Sequence, residues 1–162
     1  MHSDGGRAAV FAALDTGRRA DAVVRRLAGQ RAAVVDCGGD IALIGAWSVE
    51  VQHPLSGETV HTLHVAGGGV ATSGLNVRVW RRSDGSYAHH LLDPSTGEPA
   101  WTGLVGATAV AGSALEAETL SKLALLSGPD KGRHVLARNG GVLVHDDGDV
   151  EVIARPTLRI AA

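Results

Sequence analysis

The stretch SALEAETLSKLALLSG, residues 113–128, decides the fold class of this 162-residue chain. Ser113 followed three residues later by Glu116 is the capping-box pattern that begins a helix, and Gly128-Pro129 is a pair that ends one. Apolar side chains lie nearly all the way round the segment between them, so both faces of this helix are expected to be covered. A helix covered on both faces needs other elements packed beside it.

The rest of the chain has mainly the pattern of short strands. Trp47, Val49 and Val51 alternate with polar residues, which is typical of a strand with one solvent-exposed face. The other predicted strands are 32–35, 41–45, 62–65, 77–80, 87–92, 142–144 and 150–153. Helical spacing predicts one earlier helix around 20–27, and a short one is expected at 132–137. We therefore expect an α+β fold, a mostly antiparallel sheet with two to three helices, forming a single domain over residues 1–162.

The composition is that of an ordinary globular protein, with 44% apolar residues, 20% charged residues and a net charge of −2. Without a basic surplus, the chain lacks the electrostatic footprint of a protein that binds nucleic acid or anionic lipid. Its single cysteine, Cys37, excludes an intrachain disulfide. The first residues do not form a signal peptide, and no apolar run approaches the ~18 residues that span a bilayer. A cytoplasmic location is expected.

Lysine occurs only twice, at Lys122 and Lys131, whereas arginine and alanine are abundant. This bias is typical of a GC-rich bacterial genome. A lysine retained against it is a candidate for a specific role.

Four local strings follow one another in an order that carries more information than any one of them. They are DCGGDI at 36–41, ATSG at 71–74, HLLDPSTGEP at 90–99 and the helix from 114 to 128. Together they resemble the ApbE family of FAD:protein FMN transferases. In that family a Gly-Gly-Asp turn, a Thr-Ser-Gly turn, a His-x-x-Asp-Pro-x-Thr-Gly segment and a helix with an Asp and a Thr four residues apart occur in this order.

The resemblance covers about residues 15–155 and corresponds to the C-terminal, T-fold-like half of the family. Residues 1–14 would then be an N-terminal extension or a poorly ordered segment. The resemblance implies binding of FAD, Mg²⁺ at its pyrophosphate, and transfer of FMN to a threonine of a target protein. Such phosphoryl transfer depends on positioning and charge neutralisation.

Three positions depart from the family pattern. Glu118 stands where the family helix has its metal-binding Asp, Lys122 stands where it has Thr, and Thr16 replaces the lysine of an upstream Lys-Gly pair. An ammonium group has no acceptor for a metal bond and would repel Mg²⁺ or occupy its place. The sequence therefore predicts that the FAD and Mg²⁺ apparatus is lost, that no cofactor is bound and that no metal ligand remains. If flavin transfer is retained, Glu118 becomes the metal ligand and FAD and Mg²⁺ the cofactors.

The predicted catalytic residues are His90, Lys122, Glu118 and Tyr87. Glu118 and Lys122 are four residues apart on one helix, so they form either an ordinary surface ion pair or a partly buried pair with functional chemistry. His90 lies at a strand exit three residues before Asp93, where a histidine can act as acid, base or hydrogen-bond donor or have a structural role alone.

The predicted substrate- or phosphate-binding residues are Thr72, Ser73, Gly74, Asp93 and Thr96. The Thr-Ser-Gly string offers hydroxyl groups in a tight turn of the kind that cradles phosphate. The alternative for these residues is a purely structural role, in which Asp93 braces its own turn. Gly38-Gly39-Asp40 is expected to be a turn required by backbone geometry rather than a ligand.

Three functions remain open at this point. The main hypothesis is a repurposed, cofactor-independent enzyme that carries out acid–base chemistry, such as dehydration, addition or cyclisation, on a small metabolite of a bacterial specialised pathway. The alternatives are an FMN transferase whose missing half comes from a partner chain or a dimer, and a non-catalytic binding or scaffold domain. A missing half would expose apolar surface, so we expect a homodimer or higher homo-oligomer.

Overall fold

A computed structural model describes residues 15–76, 79–93 and 96–155 of the chain. Within these residues there are two helices, α1 (Asp15–Arg26) and α2 (Ala114–Leu136). The ten strands are β1 (Ala33–Cys37), β2 (Asp40–Ile44), β3 (Trp47–Gln52), β4 (Thr59–Val65), β5 (Gly68–Gly74), β6 (Val79–Arg81), β7 (Tyr87–His89), β8 (Leu104–Ala111), β9 (Gly141–His145) and β10 (Val150–Ile153). The proposed extension at 1–14 and the start of the strand expected at 77–80 lie outside the described residues.

Six of these strands form one sheet in the order β1-β2-β5-β8-β9-β10, and every neighbouring pair is antiparallel. Strands β3 and β4 form a separate hairpin, as do β6 and β7. The predicted α+β class with a mostly antiparallel sheet is confirmed.

The central sheet has two different faces. The helix face carries small residues such as Ala42 and Ala71, which lie in small clusters with alanines of α1 and α2. The hairpin face carries larger side chains such as Leu43, Val70 and Val110, which pack beneath the β3–β4 hairpin. Because successive residues of a strand point to opposite sides, neighbouring positions in β5 serve different faces.

Helix α2 begins as the sequence predicts, with the hydroxyl of Ser113 accepting a hydrogen bond from the Glu116 amide. Gly128 has φ 78° and ψ 176°, which is not helical, and Pro129 follows it. The predicted end of the helix is therefore a kink, with a second helical stretch running on to Leu136.

Helix α1 confirms the early helix that the spacing predicts, and small residues make its closest contacts. Gly17, Ala20 and Asp21 are buried and Val24 packs against the cluster that contains Ala20, whereas Val23 is 46% exposed. The small residues allow α1 to approach α2 closely, and this contact determines how α1 is oriented. Val23 consequently lies at the surface.

The prediction of a turn at 71–74 is wrong. Thr72, Ser73 and Gly74 belong to β5, a central strand bonded to β2 and β8. The glycines of this strand are explained by close backbone contact: a Cβ at Gly69 would lie 2.3 Å from the amide nitrogen of Ala114. The start of α2 presses on β5 so closely that a side chain has no room there.

Within the described residues, neither helix combines the length and apolar character that crossing a membrane would require.

Candidate functional site

A buried carboxylate lies at the centre of the helix face. Glu118 of α2 is 1% exposed, and its Oε1 atom accepts a hydrogen bond from the Lys122 ammonium at 2.7 Å. Its Oε2 atom accepts a hydrogen bond from the backbone amide of Gly17 at 3.1 Å. The pair predicted from the i, i+4 spacing therefore exists, and it is partly buried: Glu118 is buried, whereas the Lys122 side chain is 23% exposed. We call Thr16, Gly17, Asp40, Glu118 and Lys122 the Glu118 cluster.

Asp40 brings a second carboxylate into this cluster. The Thr16 hydroxyl donates to Asp40 Oδ2 and lies 3.5 Å from Glu118 Oε1. The pKa of Asp40 is raised to about 6, chiefly by burial and also by the charge of Glu118, whereas the Thr16 hydrogen bond and the Lys122 charge oppose the rise. Two carboxylates thus share one ammonium in a site that excludes most water.

The turn before β2 places Asp40 at the cluster. Gly38 and Gly39 have φ values of 70° and 95°, a region that favours glycine, and the Asp36 side chain accepts from the Gly39 amide at 2.8 Å. The prediction that this string is a turn is confirmed. Sequence reasoning nevertheless missed Asp40 as a site residue, because it treated the whole string as a backbone feature.

Asp21 fixes the two helices relative to each other. Its carboxylate oxygens accept hydrogen bonds from the amides of Ala114 and Leu115, at 2.8 and 3.1 Å, so that it caps α2 from α1. A Cβ at Gly17 would lie 2.8 Å from the Ala114 carbonyl oxygen, so only glycine fits there. This contact holds the Gly17 amide at the Glu118 carboxylate.

The Glu118 cluster offers only part of what Mg²⁺ requires. Its carboxylate and hydroxyl oxygens are suitable hard ligands, and Mg²⁺ prefers six such oxygens in an octahedron. However, both Glu118 oxygens are already hydrogen-bonded, one of them to a cation at 2.7 Å. Among the described residues, no group of three or more His, Cys, Asp or Glu side chains could hold a metal ion. The residues present do not fit a divalent ion bound at Glu118.

The Thr-Ser-Gly string divides between the two faces of the sheet. The hydroxyl of Ser73 is 2.9 Å from that of Ser121 on the helix face, and both residues are buried. The hydroxyl of Thr72 is 2.9 Å from that of Thr108 on the hairpin face. The three residues therefore do not form the single phosphate cradle that the turn prediction assumed. Their roles in binding stay predictions.

Thr72 and Thr108 face a cleft of about 440 Å³ between the β3–β4 hairpin and the sheet. Pro54 and Gly74 also line it, and a Cβ added at Gly74 or at the neighbouring Gly106 would lie 3.2 or 3.1 Å from an atom of the Pro54 ring. The other residues that line it are Asp36, Gly39, Ile41, Val49, Glu50, Val51, Gln52, His53, Gly57, Val70 and Asn76. The cleft joins apolar walls to a hydroxyl pair and could take a small ligand with few polar groups.

The other predicted site residues lie on the segment that follows β6. Tyr87 is 62% exposed on β7, and His90 is half-buried just beyond its end. The Thr96 hydroxyl accepts from the Glu98 amide at 3.2 Å, and the Asp93 amide donates to the Glu98 carbonyl at 2.8 Å. Thr96 thus braces its own loop, and a binding role for this segment stays a prediction.

The hydrogen bonds and ion pairs of Glu118 and Lys122 described above run within the cluster. The structure therefore brings together Glu118 and Lys122 of the predicted catalytic set, with Asp40 and Thr16 beside them. Action of His90 and Tyr87 with this pair stays a prediction.

His89 is a buried residue next to the predicted site residue His90. It is 0% exposed, neither ring nitrogen meets hydrogen-bond geometry, and its ring packs edge-on against Trp101 at 4.6 Å. Burial lowers its pKa, although the nearby Ala100 backbone opposes the shift. We interpret it as a neutral histidine that supports Trp101.

The sequence of the chain is similar to sequences of known proteins. A model of the ApbE family matches residues 10–144. The FAD:protein FMN transferase of Escherichia coli K12 is 34% identical over 96 residues, which are 58% of this chain and 27% of that enzyme. The FAD:protein FMN transferase of Klebsiella pneumoniae strain 342 is 33% identical over 96 residues, with the same coverage.

Solved structures agree with the sequence comparison. The ApbE protein of Thermotoga maritima superposes with a TM-score of 0.75 and 29% identity, covering 86% of this chain and 49% of that protein. The flavinyl transferase ApbE of Pseudomonas stutzeri, in its apo form, gives a TM-score of 0.69 and 26% identity, covering 88% and 48%. The chain thus spans about half the length of the structures that it matches.

These findings correct two expectations. The main hypothesis of a repurposed, cofactor-independent enzyme is wrong, because the matching relatives are flavin transferases. The expectation that no cofactor is bound is wrong for the same reason, since the relatives named above take FMN from FAD. The family match extends over most of the chain, including the Glu118 cluster, the cleft and the 87–99 segment. The chain belongs to the ApbE family.

Proposed function

We propose that this chain binds FAD and takes part in transferring its FMN part to a hydroxyl group of a target protein. The observation that carries the proposal is the family match over residues 10–144, together with the superposition on the Thermotoga maritima protein over 86% of the chain. Since the chain spans about half of that protein, the activity of the whole relative is a proposal here.

The reaction breaks one bond of the FAD diphosphate and forms one bond to the acceptor. The acceptor oxygen bonds to the phosphorus of the FMN part, and AMP departs with the electron pair of the broken P–O bond. The hydroxyl proton goes to a base or to water. The protein mainly has to position the two reactants and stabilise negative charge on the phosphoryl oxygens.

The Glu118 cluster supports the proposal through its place in the fold. Two helices and a strand end meet there, and the Asp21 cap holds α1 against α2. Charged groups held this firmly need little rearrangement when a charged substrate arrives. Bound at this position, FAD would lie against α1 and α2 rather than beneath the β3–β4 hairpin.

We infer that the FMN acceptor is a protein, as in the names of the relatives, and that FAD is the small-molecule substrate. Association into a homodimer or higher homo-oligomer stays a prediction. Light scattering at micromolar concentration tests it, and a monomeric mass would contradict it.

Flavin transfer is tested with the purified chain, FAD and a protein substrate of the Escherichia coli transferase. We expect quenching of FAD fluorescence on binding, release of AMP, and a mass increase of the acceptor by one FMN group. FMN offered in place of FAD is the matched control, because it lacks the diphosphate bond that must break. Failure of FAD to bind would overturn the proposal.

A further inference from the structure

Lys122 is a cation held in a fixed position inside the Glu118 cluster. Its side chain is 23% exposed, and its Nζ atom lies 2.7 Å from Glu118 Oε1. An ammonium group has three N–H donors, and this is the one hydrogen bond that Lys122 makes among the described residues. Two donors are therefore available for an incoming anion.

Glu118 and Asp40 are both close enough to Lys122 to offset its charge, so an incoming anion would be bound by the remaining N–H donors of the ammonium rather than by a net positive charge of the cluster. Glu118 also accepts from the amide of Gly17, which lies in the first turn of α1. The N-terminal turn of a helix carries about half a positive charge, which offsets part of the carboxylate charge. The first turn of α1 and the Lys122 ammonium thus provide positive charge on two sides of one buried carboxylate.

The same arrangement leaves little place for a divalent ion. A metal bound to Glu118 would have to displace the ammonium or the Gly17 amide, or accept a cation within a few ångströms. Transfer of a phosphoryl group nevertheless requires a positive charge near the diphosphate oxygens. In this chain the Lys122 ammonium, which is part of the protein, can supply that positive charge.

We propose that the Lys122 ammonium binds the diphosphate of FAD directly and takes the place of a divalent cation there. Glu118 holds the ammonium in position, and the amide of Gly17 holds Glu118. This inference rests on the proposed function, because it names the group that binds the diphosphate of the FAD. It makes FAD binding independent of metal, which can be measured apart from transfer.

The experiment is a titration of the purified chain with FAD, followed by flavin fluorescence, once in EDTA and once in excess Mg²⁺. We expect the wild-type affinity to agree within about twofold between the two conditions. Lys122→Met should weaken binding by about tenfold or more in both, as expected for loss of one charge-assisted hydrogen bond. Lys131→Met changes the other lysine of the chain, which is exposed, and should bind like the wild type.

Two further variants keep the result interpretable. Lys122→Met leaves Glu118 buried without a cation, so the double variant Glu118→Gln/Lys122→Met removes both charges together and should also bind weakly. Lys122→Thr replaces the cation with an oxygen ligand and should bind FAD only when Mg²⁺ is added. Circular dichroism confirms that each variant is folded before titration.

The outcomes separate the two proposals. Wild-type binding that requires Mg²⁺, or equal binding by folded Lys122→Met, overturns the role of Lys122 and leaves FAD binding in place. Absence of FAD binding under both conditions overturns the proposed function and this inference together.

Discussion

The two faces of the central sheet are packed in different ways. On the helix face, alanine and glycine allow backbone to meet backbone, and a Cβ at Gly69 would lie 2.3 Å from the start of α2. On the hairpin face, Leu43 and Val70 pack beneath a two-stranded hairpin and leave a cleft of about 440 Å³. The charged cluster lies on the closely packed face. Close backbone packing holds ionised groups in place, whereas packing through larger side chains leaves space for a ligand.

The largest expected effect is that of Gly69→Ala. The new methyl group would lie 2.3 Å from Ala114 N and 2.4 Å from Ser113 O. These are backbone atoms of a capped helix, so moving them would cost much free energy. We expect a loss of more than about 3 kcal/mol in the free energy of unfolding, which would leave much of the chain unfolded. Urea denaturation followed by circular dichroism measures it.

Gly106→Ala makes the matched change on the hairpin face. Its Cβ would lie 3.1 Å from Pro54 Cγ, a side-chain atom that can shift. We expect a loss of about 1 kcal/mol or less. Gly29→Ala, where no atom lies within 4 Å, is the control and should be nearly neutral. Equal losses at Gly69 and Gly106 would contradict the contrast between the faces.

The sequence predicts those features that depend on local chemistry. The capping box at Ser113, the break at Gly128 and the contact of Glu118 with Lys122 are all visible as spacing along the chain. The strand at 68–74 is not visible in this way, because its glycines and alanines are weak strand formers. These small residues are required because α2 packs closely against the strand, and the two segments are about 45 residues apart in the chain. Distant contacts of this kind override local propensity.

The candidate site shows the same limit. Glu118 and Lys122 share a helix, so their spacing predicts their contact. Asp40, Asp21 and Thr16 come from other elements, and only the folded chain brings them to α2. The position of Asp40 directly after Gly38-Gly39, at the start of an apolar strand, is the signal in the sequence that could have drawn attention to it.

Asp40→Asn tests the electrostatics of the helix face. The pKa of Asp40 is raised to about 6 in the folded chain from an ordinary 3.8, chiefly because burial disfavours its charge. A raised folded pKa means that the unfolded chain releases this proton more readily. The contribution of Asp40 to stability is therefore fully present below about pH 4 and is lost as the pH rises through 6.

We expect the wild-type free energy of unfolding to fall by on the order of 1–3 kcal/mol across this pH range because of this group. The variant should lack that part of the fall and should gain stability relative to wild type at pH 7. Urea denaturation of both proteins at several pH values between 4 and 8 measures the difference. A constant difference across the range would show that Asp40 titrates normally.

Thr72→Val tests the hydroxyl pair on the hairpin face, where we expect a small effect. The Thr72 hydroxyl lies 2.9 Å from that of Thr108, which is 2% exposed, so the variant removes one partner of a buried hydroxyl. We expect a loss of about 1 kcal/mol, and a smaller loss when Thr108→Val is added, since no polar group of the pair is then left unpaired. Thermal unfolding of the single and double variants measures both. If the double variant were less stable than the single one, Thr108 would have a hydrogen-bond partner other than Thr72. The two hydroxyls at the cleft would then not be each other's sole partners.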